Sequence, residues 1–237
     1  MKPAQYRGNP VLHGPRFAEH LQSGRVRRQW QRLRKPFGTR RTMLLIKQFP
    51  HISLDDTLFV FALEAEAGSF FADVNTVFTG IGKVNAAIAL TKAVQQRPKL
   101  IVNLGSAGSQ QYGKGDVVCC TRFVQRDMDV TPLGFARYQT PLSDIPVLLE
   151  HGEAIPGLPL GTCGSGDSFE ISHSEAPYDI VDMEAYVLAL IARSEGIPFV
   201  CLKYISDDAG SDAAQDWSVQ VHLAAEAFKR VLFSSAG

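Results

Sequence analysis

The chain has 237 residues, 45% of them hydrophobic and 20% charged, with 24 basic residues balancing 24 acidic ones. That composition excludes wholesale disorder, and no run approaches the roughly 18 consecutive apolar residues of a membrane span. The neutral total hides an asymmetry: residues 1–42 hold eleven Lys/Arg and the single acid Glu19, which leaves 13 basic and 23 acidic side chains (24 less 11, 24 less 1) from residue 43 onward.

The basic residues, clustered between Arg25 and Arg41 around Trp30, can bury little apolar surface against the entropy of ordering them. Residues 1–42 therefore read as a flexible basic extension and residues 43–237 as one domain. The extension has three readings: an arm for nucleic acid or another anionic surface, an Arg-rich transit peptide, or residues upstream of a functional start at Met43. It lacks the apolar segment of a secretory signal.

Strand-like and helix-like patterns alternate from residue 56, the mark of an α/β fold on a largely parallel or mixed sheet. Leu58–Leu63 is expected as the first core strand and Asn75–Thr79 as the next. Gly80 and Gly82 then turn the chain into a helix over Lys83–Gln96, with Val84, Ala87, Ile88 and Thr91 at helical spacing. Leu100–Leu104 reads as a buried strand ended by Gly105-Ser-Ala-Gly108, and Asp116–Val124 as the following strand. Five prolines in residues 132–160 predict irregular excursions. Ile180–Asp182 leads into a helix over Met183–Ser194, and Pro198–Ile205 is the last strand. The closing helix has Asp216 or Ser218 as its N-cap candidate and Val221, Ala224, Ala225, Phe228 and Leu232 as its inward stripe.

Common motifs fail in turn. Gly80-Ile-Gly82 begins like a dinucleotide loop, but Asn85 stands where the third glycine is needed, and neither a P-loop nor a nucleophile elbow can be built around Lys83, Ser106 or Ser165. The six histidines form no metal-ligating pair, and the four cysteines have neither metal spacing nor the density of a disulfide framework, so no metal and no cofactor are expected. A reduced, cytoplasmic setting is the simplest for such thiols.

Carboxylates recur just after strands, where open α/β sheets bind ligands: Glu64 and Glu66, Asp167, Glu184, and Asp207. Each has a structural reading alone, Glu184 as a favourable charge at a helix start and Asp207 as a turn residue. Taken together, Phe61-Ala-Leu-Glu-Ala-Glu66, Thr79-Gly-Ile-Gly-Lys-Val-Asn85, Val102-Asn-Leu-Gly-Ser-Ala-Gly108, Gly115-Asp-Val-Val118, Asp127-Met-Asp-Val-Thr131 with Gly134-Phe135, Ser165-Gly-Asp-Ser-Phe169, Val181-Asp-Met-Glu-Ala185 and Ile205-Ser-Asp207 follow one another in a familiar order. This series resembles the 5'-methylthioadenosine/S-adenosylhomocysteine nucleosidases of the nucleoside phosphorylase superfamily over residues 56–235.

The resemblance implies a single α/β domain with a central twisted mixed sheet flanked by helices. It also implies an N-glycosyl hydrolase that frees adenine from a purine nucleoside. Breaking that bond needs an acid for the leaving base, a carboxylate for water and a group that holds the ribose. By resemblance Asp207 is the acid, Glu66 directs the water, Glu184 grips the ribose hydroxyls with Met183 packed on the sugar, and Phe169 stacks on the purine. Backbone groups around Phe169 and Glu170 read the base edge, with Ser106 near the sugar or water and Ser206 supporting the base. The implied partners are the small nucleoside and a second copy of the chain, as a homodimer with Leu133 and Phe135 in the loop nearest the 5' substituent; no membrane partner is expected, and nucleic acid only through the basic extension. The departures from the family pattern are Ala65 inside the first motif, Lys203 in place of arginine, Asp182, and Tyr186 in place of a small residue, which is expected to reshape the pocket. A phosphorylase would hold phosphate with arginines that the first loop and the segment before Gly105 lack, leaving only Lys83 or Arg122 to reach in from elsewhere. A binding-only descendant would have no need of both Glu66 and Asp207.

Overall fold

The computed structural model describes residues 49–168, 176–208 and 220–233. The basic extension and the N-cap candidates Asp216 and Ser218 lie outside them.

Eight strands form one mixed sheet: β1 (Thr57–Phe61), β2 (Thr76–Phe78), β3 (Leu100–Gly108), β4 (Val117–Gln125), β5 (Leu149–Glu150), β6 (Leu160–Ser165), β7 (Ile180–Asp182) and β8 (Phe199–Asp207). Among the described residues the α-helices are the single turn α1 (Glu64–Ala67), α2 (Lys83–Ala93), α3 (Ala185–Ser194) and α4 (Ala224–Leu232). Strands β2, β1, β3 and β8 run parallel, β8 pairs antiparallel with β4, and β4 pairs parallel with β6, which pairs parallel with β7. A single antiparallel pairing of Gly108 with Val181 returns β7 to β3, so these five strands close on themselves. The closure brings strand ends together, because Gly108 also pairs with Asp207 and Ser165 pairs with Asp182.

Both faces of the sheet are covered, which is why β1, β3 and β8 are buried at nearly every position rather than at alternate ones. One face packs α2 and α3 over Leu58, Val60, Ile101, Phe199 and Cys201. The other packs α4 over an aromatic group in which Phe61 meets Phe71 edge-on at 5.1 Å between ring centroids.

Several boundaries differ from the sequence expectation, each for a local reason. The first strand stops at Phe61, and Glu64–Ala67 forms a helical turn in which the Leu63 amide donates to the Glu66 carboxylate. Strand β3 continues through Gly105-Ser-Ala-Gly108 because every one of those residues still has a partner on β8. Helix α2 turns the opposite way from the expected stripe: Ala86, Ala89, Leu90 and Ala93 face inward, while Val84 and Ile88 are 67% and 47% exposed. Alanines on α2 and on α3 (Ala185, Ala189, Ala192) share one cluster, and small side chains allow the two helices to pack closely. Residues 132–160 are largely irregular as expected, apart from the two-residue β5 and the start of β6. Strand β6 itself was not legible. Its Gly164 lies flat under Tyr178, where an added Cβ would meet the ring at 2.6 Å, so the position that packs the core carries no apolar side chain. Helix α3 starts at Ala185 rather than Met183, and Val221 falls in a preceding 3-10 turn, whereas Ala224, Ala225, Phe228 and Leu232 are buried as expected.

Candidate active site

The converging strand ends carry the carboxylates that the sequence singled out. Glu66, on α1 just beyond β1, is 3% exposed, and its position is fixed at both oxygens. Oε1 accepts from the amide and the hydroxyl of Ser106 at 2.9 and 2.8 Å, and Oε2 accepts from the Leu63 amide at 3.0 Å. Ser106 is thus joined to the first carboxylate, and it remains half-buried at the strand end.

Glu184 immediately precedes α3, two residues beyond β7, and is 8% exposed. Its Oε1 accepts from the Gly82 amide at 2.7 Å, at the start of α2. Burial, then the neighbouring charges of Asp182 and Glu66, push its carboxyl up to about 8, against the opposing pull of Lys203 and the Gly82 amide. Met183 precedes it and is half-buried. At the end of β8, Asp207 is 5% exposed and its Oδ2 accepts from the Ser206 hydroxyl at 2.8 Å. Ser206 lies within 3.3 Å of the Ala107 carbonyl as well, which ties this pair to the end of β3. Phe169 and Glu170 lie outside the described residues.

Two departures from the family pattern turn out to be partners. Lys203 Nζ sits 2.7 Å from Asp182 Oδ2, with both side chains almost wholly buried. Burial alone would lower the lysine, but Asp182 and then nearby thiols and Glu184 hold it well above its ordinary value; burial alone would raise Asp182, but Lys203 holds it below. Asp182 also accepts from the Ser165 hydroxyl at 2.5 Å and the Ala185 amide at 2.9 Å, so the pair binds β6, β7, β8 and the first turn of α3 together. Gly105 stands between this pair and the first carboxylate: a Cβ there would meet Glu66 Oε1 at 3.4 Å and Lys203 Nζ at 3.5 Å. Opposite charges at two departures were the available signal, and only the sheet register joins them.

Tyr186 does not reshape the pocket. It is 5% exposed, belongs to the α2/α3 core cluster, and its amide donates to Ser165.

Of the cations proposed for an incoming phosphate, one is held in an ion pair and the other lies exposed beside the edge strand. Lys83 Nζ is 2.5 Å from Asp127, and Arg122 is exposed, opposite Glu150 on the edge strand. Arg126, which sequence reasoning passed over, is buried and donates to the carbonyls of Gly166 and Ser168 and to the Ser168 hydroxyl. Among the described residues no group of His, Cys, Asp and Glu has the arrangement of a metal site. The four cysteines are free and buried, and burial pushes the Cys119 and Cys163 thiols up to about 11, which keeps them protonated and unreactive at neutral pH.

The arrangement is therefore a fixed carboxylate (Glu66) and a second carboxyl whose charge depends on pH near neutrality (Glu184), both near a buried lysine already committed to Asp182, with a third carboxyl at the end of the last strand (Asp207). Such a set can activate water, accept hydroxyl donors and deliver a proton.

The phosphorylase superfamily model matches residues 64–234. A 5'-methylthioadenosine/S-adenosylhomocysteine nucleosidase from Marinomonas sp. (strain MWYL1) is 33% identical over 176 residues, covering 65% of this chain and 76% of the relative. Another from Actinobacillus succinogenes is 32% identical over 171 residues, covering 62% and 74%. Among solved structures, the nucleosidase of Helicobacter pylori superposes with a TM-score of 0.66 at 20% identity over 75% of this chain and 97% of that one. The futalosine hydrolase of the same organism gives 0.67 at 20% identity over 74% and 94%.

Proposed function

Because the chain belongs to the phosphorylase superfamily and, within it, to the 5'-methylthioadenosine/S-adenosylhomocysteine nucleosidases, we propose that it hydrolyses the N-glycosidic bond of a 5'-thio-substituted adenine nucleoside. The observation that carries the choice of water over phosphate is Glu66, a buried carboxylate fixed by three donors; Lys83 and Arg126 are bound to protein acceptors.

In this reading Glu184 accepts the ribose hydroxyls and Met183 packs on the sugar. Asp207 gives its proton to N7 of the purine as the bond from C1' to N9 breaks, and the electron pair leaves with the base. Water attacks C1' and gives its proton to Glu66. Positive charge that develops on the ribose ring is offset by the adjoining carboxylates. Ser206 orients Asp207, and Ser106 holds Glu66 for the water. Phe169 and Glu170 are assigned to the purine from the motif alone.

Incubation of purified protein with methylthioadenosine, adenosylhomocysteine, adenosine and inosine, followed by chromatography of base and sugar, tests this reading. Adenine release from the two thio-substituted nucleosides ahead of adenosine, and none from inosine, is the expected order; release from inosine alone would overturn it. The exposed Leu133, together with half-buried Phe135, further supports a homodimer whose partner covers the 5' substituent. The same preparation is expected to sediment as a dimer, and a fully active monomer would contradict that assignment. Free, buried cysteines suit a reducing cytoplasm.

The raised proton affinity of Glu184 has a measurable consequence. Ribose hydroxyls donate to the carboxylate form, so binding to a group that titrates near about 8 releases a proton. KM is expected to fall about tenfold per pH unit as pH rises towards that value and then to level off. Glu184→Gln should bind more weakly and show no such slope. Stability follows the opposite sign: a carboxyl raised from 4.5 retains its proton in the folded state, so its contribution is full below 4.5 and is lost as pH rises through about 8. Melting curves of Glu184→Gln should therefore lose that part of the wild-type decline.

A further inference from the structure

Two consecutive amides at the start of α2 each hold a carboxylate from a different part of the chain. Gly82 N donates to Glu184 Oε1 at 2.7 Å, and Lys83 N donates to Asp167 Oδ1 at 2.7 Å. Gly82 is at φ +93, and a Cβ there would stand 3.0 Å from the Asp167 carboxylate, so only glycine lets this turn close on its two acceptors. The Lys83 side chain returns across the same turn to Asp127 Oδ1 at 2.5 Å, and the other oxygen of Asp127 accepts from the Asp167 amide at 2.9 Å. Asp127 follows Arg126, whose guanidinium binds the carbonyls on either side of Asp167. The turn after β4 thus clasps residues 166–168 with donors and an acceptor placed in alternation, and Lys83 locks that clasp to α2.

We infer that Lys83 and Asp127 are positioning residues, which fix the first turn of α2 against the end of β6 and thereby set where Glu184 presents its carboxylate to the ribose. This rests on the nucleosidase reading and assigns a task to two motifs, Thr79–Asn85 and Asp127–Thr131, that the catalytic roles leave unused. The physical reason is rigidity. Glu184 receives its described hydrogen bond from a backbone amide whose own position depends on the turn that carries it. The Lys83 and Asp127 side chains are 15% and 28% exposed, so their ion pair is partly shielded from solvent. A polar link of this kind, distributed over three chain segments, acts as a unit.

A double-mutant cycle tests it. Lys83→Met and Asp127→Asn are each expected to raise the KM for nucleoside about tenfold with a smaller loss of kcat, and the double variant to be no worse than the weaker single one, because one link is lost in all three. The pH at which KM levels off should move in the same three variants, since the Gly82 amide that helps Glu184 ionise is no longer held; a merely structural loss would leave that pH unchanged. Unchanged KM in Lys83→Met, effects that add in the double variant, or an unmoved pH profile would each overturn the inference. Should Asp127→Asn fold poorly in a melting experiment, Lys83→Met carries the KM and pH tests alone. Wild-type protein that releases no base from any nucleoside would instead remove the nucleosidase reading on which it rests.

Discussion

Asp207→Asn is expected to lower kcat by about 10²–10⁴-fold, the usual range for removing a general acid, while nucleoside binding stays within about threefold of wild type. The amide retains the size of the side chain and an oxygen for the Ser206 hydroxyl that now donates to Oδ2 at 2.8 Å. It cannot deliver a proton to the leaving purine. Without that proton the base departs as an anion, and the barrier rises by roughly 3–5 kcal/mol. Equilibrium binding by calorimetry beside steady-state kinetics separates the two effects. Turnover unchanged by the substitution would remove Asp207 as the acid, and binding lost together with turnover would make it a ligand-holding residue.

The largest effect on stability is expected at Lys203. Replacing it with methionine leaves Asp182 charged and almost wholly buried at the junction of β6, β7 and β8. Breaking one side of such a pair costs about 3–5 kcal/mol, which for a domain of this size lowers Tm by roughly 10 °C. The double substitution Asp182→Asn with Lys203→Met removes both charges, leaves one oxygen to accept from the Ala185 amide and turns the Asn NH2 to the Ser165 hydroxyl, which can accept it, and should recover much of the loss. Equal melting temperatures for the single and double variants would show that the pair is not the source of the stability. Lys203 also opposes the upward push on Glu184, so the single variant should move the pH at which KM levels off to a higher value.

Much of the site could be read from the residues because its parts are contiguous. Glu66 closes a strand-turn motif, Glu184 follows a three-residue strand, and Asp207 ends an apolar run, so the local pattern already places each beside a strand end. What escaped is what depends on distant parts of the chain. The pairing of Lys203 with Asp182 requires the register that closes β7 against β3 and β8 against β3, and no spacing in the sequence carries that. Strand β6 was hidden because Gly161 and Gly164 make room for Ile180 and Tyr178 instead of supplying apolar side chains themselves. The inward face of α2 was misjudged for a related reason. Val84 and Ile88 point outward, while alanines together with Leu90 form the buried face, so the apolar residues picked out at helical spacing misled the reading of the stripe. Tyr186 was assigned to the pocket from its place in a motif, although its position in the first turn of α3 sends it into the core.

The acceptor of the glycosyl group is the central point. With one preparation of the full chain, adenine release from methylthioadenosine is followed in buffer free of phosphate and again as phosphate is added, and the sugar product is identified by mass. A rate independent of phosphate, with the sugar recovered unphosphorylated, is the predicted result. Release that begins only when phosphate is present, with the sugar recovered as its 1-phosphate, would contradict the account and make the protein a phosphorylase.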